Sequence, residues 1–264
     1  MLFHCKNITK YYYDEPVVQD INIELPSEGF ISLVGPSGTG KTTLFNILAG
    51  VDKPDLGSVF LGEENITGVT GRVSYMLQKD LLLEYRTVID NVILPLLIHG
   101  EKKKPAREKA AAFFPMFGLE NCEKKYPNEL SGGMRQRAAL LRTFLTSGKI
   151  NVPAAEQRRS ESPPPVQVIL LDEPFSALDA ITRRKMQTWY SSIALQMKAS
   201  TLFITHDVEE ALSLSDTVYI LNGKPGKITH KIDVTPHRPR DFDFTVSKEF
   251  AEQKKSILEA IGDN

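Results

Sequence analysis

Gly35-Pro36-Ser37-Gly38-Thr39-Gly40-Lys41-Thr42 decides the fold, because it follows an apolar stretch at residues 30–34 and opens a helical pattern over residues 41–49. The spacing is G-x-x-x-x-G-K-[ST], and a phosphate-binding loop needs this position between a strand and a helix. Glycines let the backbone turn its N–H groups inward around a polyphosphate, and the helix N-terminus adds a favourable dipole. On this reading the whole run, with Thr43 beside it, contacts a nucleotide; Lys41 holds the β- and γ-phosphates and Thr42 ligates Mg²⁺. The loop alone leaves kinases, GTPases, helicases and transport ATPases open.

Outward from the loop, residues 2–8 and 17–25 read as strands, with turn residues Asp14, Glu15, Pro16, Pro26, Ser27 and Gly29 around them. Leu44, Ile47 and Leu48 share one face of the helix after the loop, and Gly50 is its stop. Short strands at 59–61 and 72–76 precede a mainly helical block from about residue 88 to 146, broken at Gly100, Pro105, Gly118 and Pro127. Buried-strand runs at 168–171, 202–205 and 217–221, the first two separated by a helical pattern over 180–197, predict a parallel α/β sheet. Residues 147–167 carry Pro153, three successive prolines at 163–165 and a charged middle, and read as an exposed surface insertion.

Val168-Ile169-Leu170-Leu171-Asp172-Glu173 is an apolar strand ending in two carboxylates, and in phosphate-loop enzymes such a strand is expected beside the strand that carries the loop. Asp172 then supports Mg²⁺ and its water shell, while Glu173 orients and polarises the attacking water. His206 ends the run Leu202-Phe203-Ile204-Thr205, at the edge where open α/β sheets place ligands, and can donate to a γ-phosphate. Asp207 and Glu210 are spaced as a helix-capping pair, which gives them a structural reading.

Hydrophobic residues make up 41% of the 264 and charged residues 25%, enough for a sizeable core. With a formal net charge of -1, no global attraction to nucleic acid or anionic lipid is implied. Two distant cysteines, Cys5 and Cys122, argue against a disulfide framework or thiolate metal site. No stretch approaches the ~20 apolar residues of a membrane span, so a span, if one is needed, belongs to another chain.

Leu130-Ser131-Gly132-Gly133-Met134-Arg135-Gln136-Arg137 resembles the signature of ABC transporter ATPases, and the family's other parts occur in order around it. Gln78 in Tyr75-Met76-Leu77-Gln78 is similar to the Q-loop, Ser176-Ala177-Leu178-Asp179 to the D-loop, and His206 to the switch histidine. Met134 stands where many members have Gln. The resemblance implies an α/β fold, the phosphate-loop NTPase type with a RecA-like core, an antiparallel β subdomain and an inserted α-helical subdomain. It places one such domain over 1–264, the helical insertion with the signature at 80–146, and a C-terminal tail at 233–264.

The resemblance also implies a head-to-tail dimer, in which Ser131, Gly132 and Gly133 of one copy close on ATP held by the other, with Asp179 at the contact. The signature suits that role because Ser131 can cap a helix whose glycines bare backbone N–H groups. Gln78 senses Mg²⁺ and the γ-phosphate, and membrane subunits dock near residues 78–98, where Leu81, Leu82 and Leu83 offer either a groove or ordinary core. Tyr11, Tyr12 and Tyr13 are placed in the turn after the first strand, where the family stacks an aromatic ring on adenine, and register favours Tyr12.

Tyr126-Pro127-Asn128-Glu129-Leu130, the run from Asp172 to Ala180 and Lys224-Pro225-Gly226-Lys227-Ile228 look like the nitrate/sulfonate/taurine importer group, which includes relatives handling thiamine-pyrimidine precursors. Such importers join two ATPases to two permease subunits and an extracytoplasmic solute-binding protein, which implies work at the cytoplasmic face of the membrane. The chain ends too early for the regulatory domain of some sugar-importer ATPases. Two other classes stay open: a soluble ABC ATPase acting on nucleic acid or ribosomes, and a nucleotide-binding regulatory subunit without turnover. The first generally carries two cassettes or long coiled-coil arms. The second would lack Lys41, Glu173 or His206, and all three are present.

Overall fold

In the computed structural model, which describes residues 2–145, 168–238, 240 and 242–262, the chain opens with a hairpin of β1 (Phe3–Tyr12) and β2 (Glu15–Leu25). Then come β3 (Phe30–Val34), α1 (Lys41–Leu48), β4 (Leu56–Leu61), β5 (Glu64–Asn65) and β6 (Ser74–Met76). Four helices follow, α2 (Val88–Val92), α3 (Leu94–Ile98), α4 (Lys103–Ala111) and α5 (Gly132–Leu145). The remainder alternates: β7 (Val168–Asp172), α6 (Ala180–Gln196), β8 (Ser200–Thr205), α7 (Val208–Leu214), β9 (Thr217–Asn222) and β10 (Lys227–Asp233), ending in α8 (Phe242–Thr245) and α9 (Lys248–Gly262).

The hairpin closes on two residues, Tyr13 and Asp14, both with positive φ (51° and 67°), the backbone that matches the twist of paired strands. Tyr11 and Tyr12 therefore belong to β1 rather than to the turn expected from the sequence. Only Tyr13 lies in the turn. The hairpin joins β4 and β5 in an antiparallel sheet of order β2-β1-β4-β5.

The larger sheet has the order β10-β9-β3-β8-β7-β6, with β9, β3, β8, β7 and β6 parallel and β10 antiparallel at one edge. One expectation is corrected here. The strand ending in Asp172 and Glu173 is not beside the strand carrying the phosphate loop, because β8 pairs with both and lies between them.

Both faces of this sheet are covered, which is why β3, β7 and β8 are buried throughout and mostly apolar, broken only by small hydroxyl residues such as Ser32 and Thr201 and by Asp172 at the end of β7. Side chains alternate between the faces. Ile31, Leu33, Val168, Leu170, Leu202 and Ile204 share a cluster with α1 and the antiparallel sheet, whereas Phe30, Ile169, Leu171 and Phe203 share another with α2, α5 and α6. In the second cluster Tyr190 is fully buried and meets Phe30, Phe144 and Phe175 at centroid distances of 5.8, 6.3 and 6.2 Å. Its hydroxyl lies 3.0 Å from that of Thr201.

Within the segment expected as a tail, α9 buries Phe250, Ile257 and Ala260 in a third cluster with Val208, Ala211 and Leu212 of α7. The insertion expected at 147–167 lies outside the described residues. Among the described residues no helix is long and apolar enough to cross a membrane.

Because Tyr190 touches aromatic rings from β3, α5 and the turn after β7, Tyr190→Ala is expected to cost about 3–5 kcal/mol of folding stability, read from urea denaturation midpoints at unchanged slope.

Candidate nucleotide site

Four adjacent strands deliver the candidate residues to one edge. The C-terminal end of β3 runs into the 35–40 loop, that of β8 into His206, that of β7 into Asp172 and Glu173, and that of β6 into Gln78. Open α/β sheets bind ligands beyond this edge, where loops can be shaped without disturbing the ladder.

The phosphate loop is held from behind by backbone. Gly38 and Gly40 adopt positive φ, 81° and 89°, and Gly40 forms the start of α1. A Cβ on Gly35 would lie 2.0 Å from the Leu221 carbonyl oxygen, so only glycine permits that approach. Gly226 presses equally closely from the β9–β10 turn, where a Cβ would lie 2.1 Å from the Thr39 carbonyl oxygen. That turn is itself anchored: Gly226 N–H donates to the Val17 carbonyl at 2.9 Å, and its own carbonyl accepts from Gln19 N–H at 2.9 Å. The Thr39 hydroxyl donates to the Pro36 carbonyl at 2.9 Å, completing the curl.

Lys41 is buried, and its ammonium donates to the Gly35 and Pro36 carbonyls at 2.8 and 2.7 Å. Burial draws its pKa below the usual lysine range, while the Glu173 and Asp172 carboxylates act in the opposite direction. Asp172 is buried too, 3.4 Å from the Thr42 hydroxyl. Burial raises its pKa, the Glu173 charge raises it further, and bonds from Thr42 and Tyr75 together with the Lys41 charge partly offset the rise. A divalent cation suits this pair, since it would relieve both the burial of Asp172 and its repulsion from Glu173. Among the described residues no three His, Cys, Asp or Glu side chains gather as a metal cage. The oxygens of Thr42 and Asp172 fit Mg²⁺, which takes one or two protein oxygens and completes its shell from water and phosphate.

Glu173 leaves the strand in a left-handed conformation (φ 45°), with its N–H bonded to the Ile204 carbonyl at 3.1 Å and its carbonyl accepting from the Ser176 hydroxyl at 2.9 Å. This swings the carboxylate off the strand end, where one oxygen accepts from Gln78 Nε2 at 3.0 Å and the other lies 3.1 Å from His206 Nδ1. Gln78 and His206 are both exposed, whereas the Glu173 side chain is only 20% accessible. The carboxylate is steadied by its two neighbours.

The signature residues stand apart from this cluster. The Ser131 hydroxyl accepts from Met134 N–H at 3.3 Å, and Ser131 and Gly132 are exposed at the start of α5. Among the described residues no hydrogen bond or ion pair joins Ser131, Gly132 or Gly133 to the phosphate loop. Asp179 caps α6, accepting from the N–H groups of Ile181 and Thr182 at 3.1 Å. Tyr12 places its hydroxyl 2.8 Å from Asp52, with the Lys10 ammonium 5.5 Å from its ring centroid. Among the described residues no comparable tie connects Tyr13, which is fully exposed.

Two sequence readings change in detail. Asp207 caps α7 through Glu209 and Glu210 N–H, but the Glu210 side chain does not reach back. It is buried instead, between the Thr205 hydroxyl and Gln187 Nε2, and burial raises its pKa. The leucine run divides: Leu82 joins the core, while Leu81, with positive φ, is exposed. Sequence reasoning missed Tyr75 beside Asp172 and the bracing role of Gly226. The second lay within reach, as a glycine inside a Pro-Gly turn after a strand.

Residues 18–152 match the ABC transporter family, to which the chain belongs. The chain is an ABC ATPase, binding and hydrolysing ATP. It is 37% identical over 248 residues to a formylaminopyrimidine import ATP-binding protein of Halalkalibacterium halodurans, covering 94% of this chain and 89% of that one. An aliphatic sulfonates import ATP-binding protein of Bacillus cereus is 33% identical over 263 residues, covering 98% and 95%. Among solved structures, a dimeric bacterial ABC transporter cassette superposes with a TM-score of 0.70 at 26% identity, over 89% of this chain and all of that one. The same cassette is also known as a dimer in a post-hydrolysis state with ADP and Pi.

Two outcomes are expected. Gly226→Ala forces the Thr39 carbonyl outward and should lower ATP turnover on the order of 10–100-fold and destabilise the fold by about 1–3 kcal/mol, while Gly262→Ala, in open space, should leave both unchanged. Asp172→Asn should raise the unfolding temperature of the nucleotide-free chain at neutral pH. An acid whose pKa is raised by folding weakens the fold above that pKa, so the gain should shrink as pH falls and the native Asp172 takes up its proton.

Proposed function

We propose that two copies of the chain clamp two Mg-ATP molecules head to tail and drive separate membrane subunits through a cycle of solute import. The observation that carries this reading is the division of the site: each chain presents a phosphate loop with a held base, and separately an exposed, capped helix start at Ser131 to Gly133 that its own loop does not use. A helix N-terminus with bare glycine N–H groups suits a γ-phosphate brought by a second chain. ATP then joins the two halves, and its binding shifts the equilibrium between open and closed pairs by the difference in its affinity for them.

In each site the phosphate-loop backbone and Lys41 hold the β- and γ-phosphates, and Tyr12 stacks on adenine. Thr42, Asp172 and Gln78 are the groups that would face Mg²⁺, which neutralises charge on the phosphate oxygens. Glu173 takes a proton from the attacking water as the water oxygen bonds to the γ-phosphorus and the bond from that phosphorus to the β,γ-bridging oxygen breaks, leaving ADP and phosphate. His206, linked to Glu173, donates to the γ-phosphate, and Asp179 stands at the contact between copies. Residues 80–146 form the helical unit that offers the signature to the partner and the membrane subunits a docking face near 78–98. On this reading the chain works at the cytoplasmic face of a membrane, with an extracytoplasmic solute-binding protein as an indirect partner. The import functions in its relatives' names support a solute of the nitrate/sulfonate/taurine or pyrimidine-precursor class, and disfavour a soluble ATPase acting on nucleic acid.

Glu173→Gln keeps the side-chain volume and removes the proton acceptor. It should bind ATP with near-native affinity, lose at least 100-fold in turnover, and elute as an ATP-dependent dimer on size-exclusion chromatography. Near-native turnover would remove Glu173 from the role of base.

A further inference from the structure

Arg135 and Gln136 are adjacent on the first turns of α5, just after the signature glycines, and reach in different directions. Arg135 Nε lies 2.9 Å from Asp80 Oδ2, and its Nη2 lies 2.9 Å from Glu84. Gln136 is buried and donates its amide to the Pro174 carbonyl. Pro174 follows Glu173, and Asp80 lies two residues after Gln78, whose amide donates to Glu173. The contacts therefore close a ring, from Glu173 through Gln78 to Asp80, across to Arg135, on to Gln136 and back through Pro174. The Asp80 end is stiffened locally, since its carboxylate also accepts from Leu82 N–H at 3.0 Å and Arg142, further along α5, donates to the carbonyls of Asp80 and Leu81.

On one side of this ring stands the base that acts on ATP held by the same chain. On the other stand Ser131, Gly132 and Gly133, offered to ATP held by a partner; Arg135 N–H donates to the Ser131 carbonyl at 2.9 Å in the first backbone bond of α5, so Arg135 belongs to the same helical turn as the signature glycines. None of the ring's three outer members, Asp80, Arg135 and Gln136, is placed against nucleotide. We propose that Asp80, Arg135 and Gln136 are positioning residues that couple the two ATP sites of the dimer: whatever seats Gln78 and Glu173 in one site sets the pose of the signature turn that the same chain lends to the other.

The coupling rests on the head-to-tail reading, and its mark is cooperativity between sites, with each chain's own hold on nucleotide left unchanged. A coupling of this kind is typically worth 5–150-fold in affinity between linked sites. The pair Asp80 and Arg135 is partly exposed, with side chains 20% and 27% accessible, so substituting it leaves no fully buried charge behind.

Full-length chain carrying Asp80→Asn, Arg135→Gln or both is compared with wild type in three measurements: affinity for a fluorescent ATP analogue at chain concentrations too low for dimerisation, unfolding temperature, and the ATP dependence of hydrolysis at high chain concentration. The expected result is unchanged affinity and unfolding temperature, a Hill coefficient falling from above one toward one, and a roughly tenfold rise in the ATP concentration giving half-maximal rate. The double variant should be no worse than the poorer single variant, because both remove one link, and Arg135→Lys should recover part of the cooperativity. Gln136→Leu, which breaks the other arm, should act in the same direction. Cooperative hydrolysis in wild type that persists in Asp80→Asn and Gln136→Leu overturns the coupling while leaving the head-to-tail dimer intact. A fall in single-chain affinity that accounts for the whole loss of rate also overturns it, assigning these residues to ordinary support of their own site. Wild-type hydrolysis with a Hill coefficient of one and no ATP-dependent dimer overturns the dimer reading and the coupling together.

Discussion

The curl of the phosphate loop survives because backbone touches backbone behind it with no room for a side chain. Gly35 lies against the Leu221 carbonyl and Gly226 against the carbonyl of Thr39, while Gly40 faces the Val18 side chain. A loop whose N–H groups turn toward a ligand cannot also satisfy itself by regular pairing, so its shape must come from what surrounds it. Here the surroundings are the end of β9, the β9–β10 turn and the near part of β2, three segments remote from the loop in the chain. The parallel sheet fixes the first, and the contact between Gly226 and β2 fixes the other two. Displacing any of them displaces the phosphate position.

Charge supplies the second constraint. Lys41, Asp172 and Glu173 lie together at the strand edge with little water around Lys41 and Asp172, so each ionised group leans on the others and on hydrogen bonds. The arrangement costs folding stability at Asp172 and places that cost where a cation and a polyphosphate can offset it. Glu173 carries a further cost in its left-handed backbone, of the order of 1 kcal/mol for a residue with a Cβ. Both departures from a relaxed fold fall on consecutive residues at the C-terminal end of β7, and among the described residues the strands of the larger sheet hold no non-glycine residue with positive φ.

Most of this could be read from local chemistry. β3 has the same bounds in sequence and structure, α1 differs by one residue at its end, and the phosphate loop lies where its glycines, lysine and threonine require. What escaped reading was lateral order. A sequence gives strands in the order they are made, whereas β8, made after β7, slips between β7 and β3. β10 escaped for a different reason, since only Ile228 and Ile232 of its seven residues are partly buried hydrophobics and the rest resemble a charged loop. Glu210 had the spacing of a capping pair, and spacing cannot tell a carboxylate that turns back to its helix from one that turns inward to Thr205 and Gln187. Tyr75 had no signal of its own, because its part depends on which strand lies beside β7.

Lys41 already bonds two carbonyls of its own loop, and this bears on how firmly a nucleotide can be held. An ammonium that moves from carbonyl oxygens to phosphate oxygens exchanges partners, so only the difference between the two sets contributes to affinity. If Lys41 holds phosphate as proposed, the same exchange runs backward when product leaves, with the loop carbonyls ready to receive the lysine and keep it from standing unpaired in a buried place. The loop thus works as a resting place for its own cation. It trades tightness of grip for ease of release, which serves a protein that must let go of its nucleotide at every turn of the cycle.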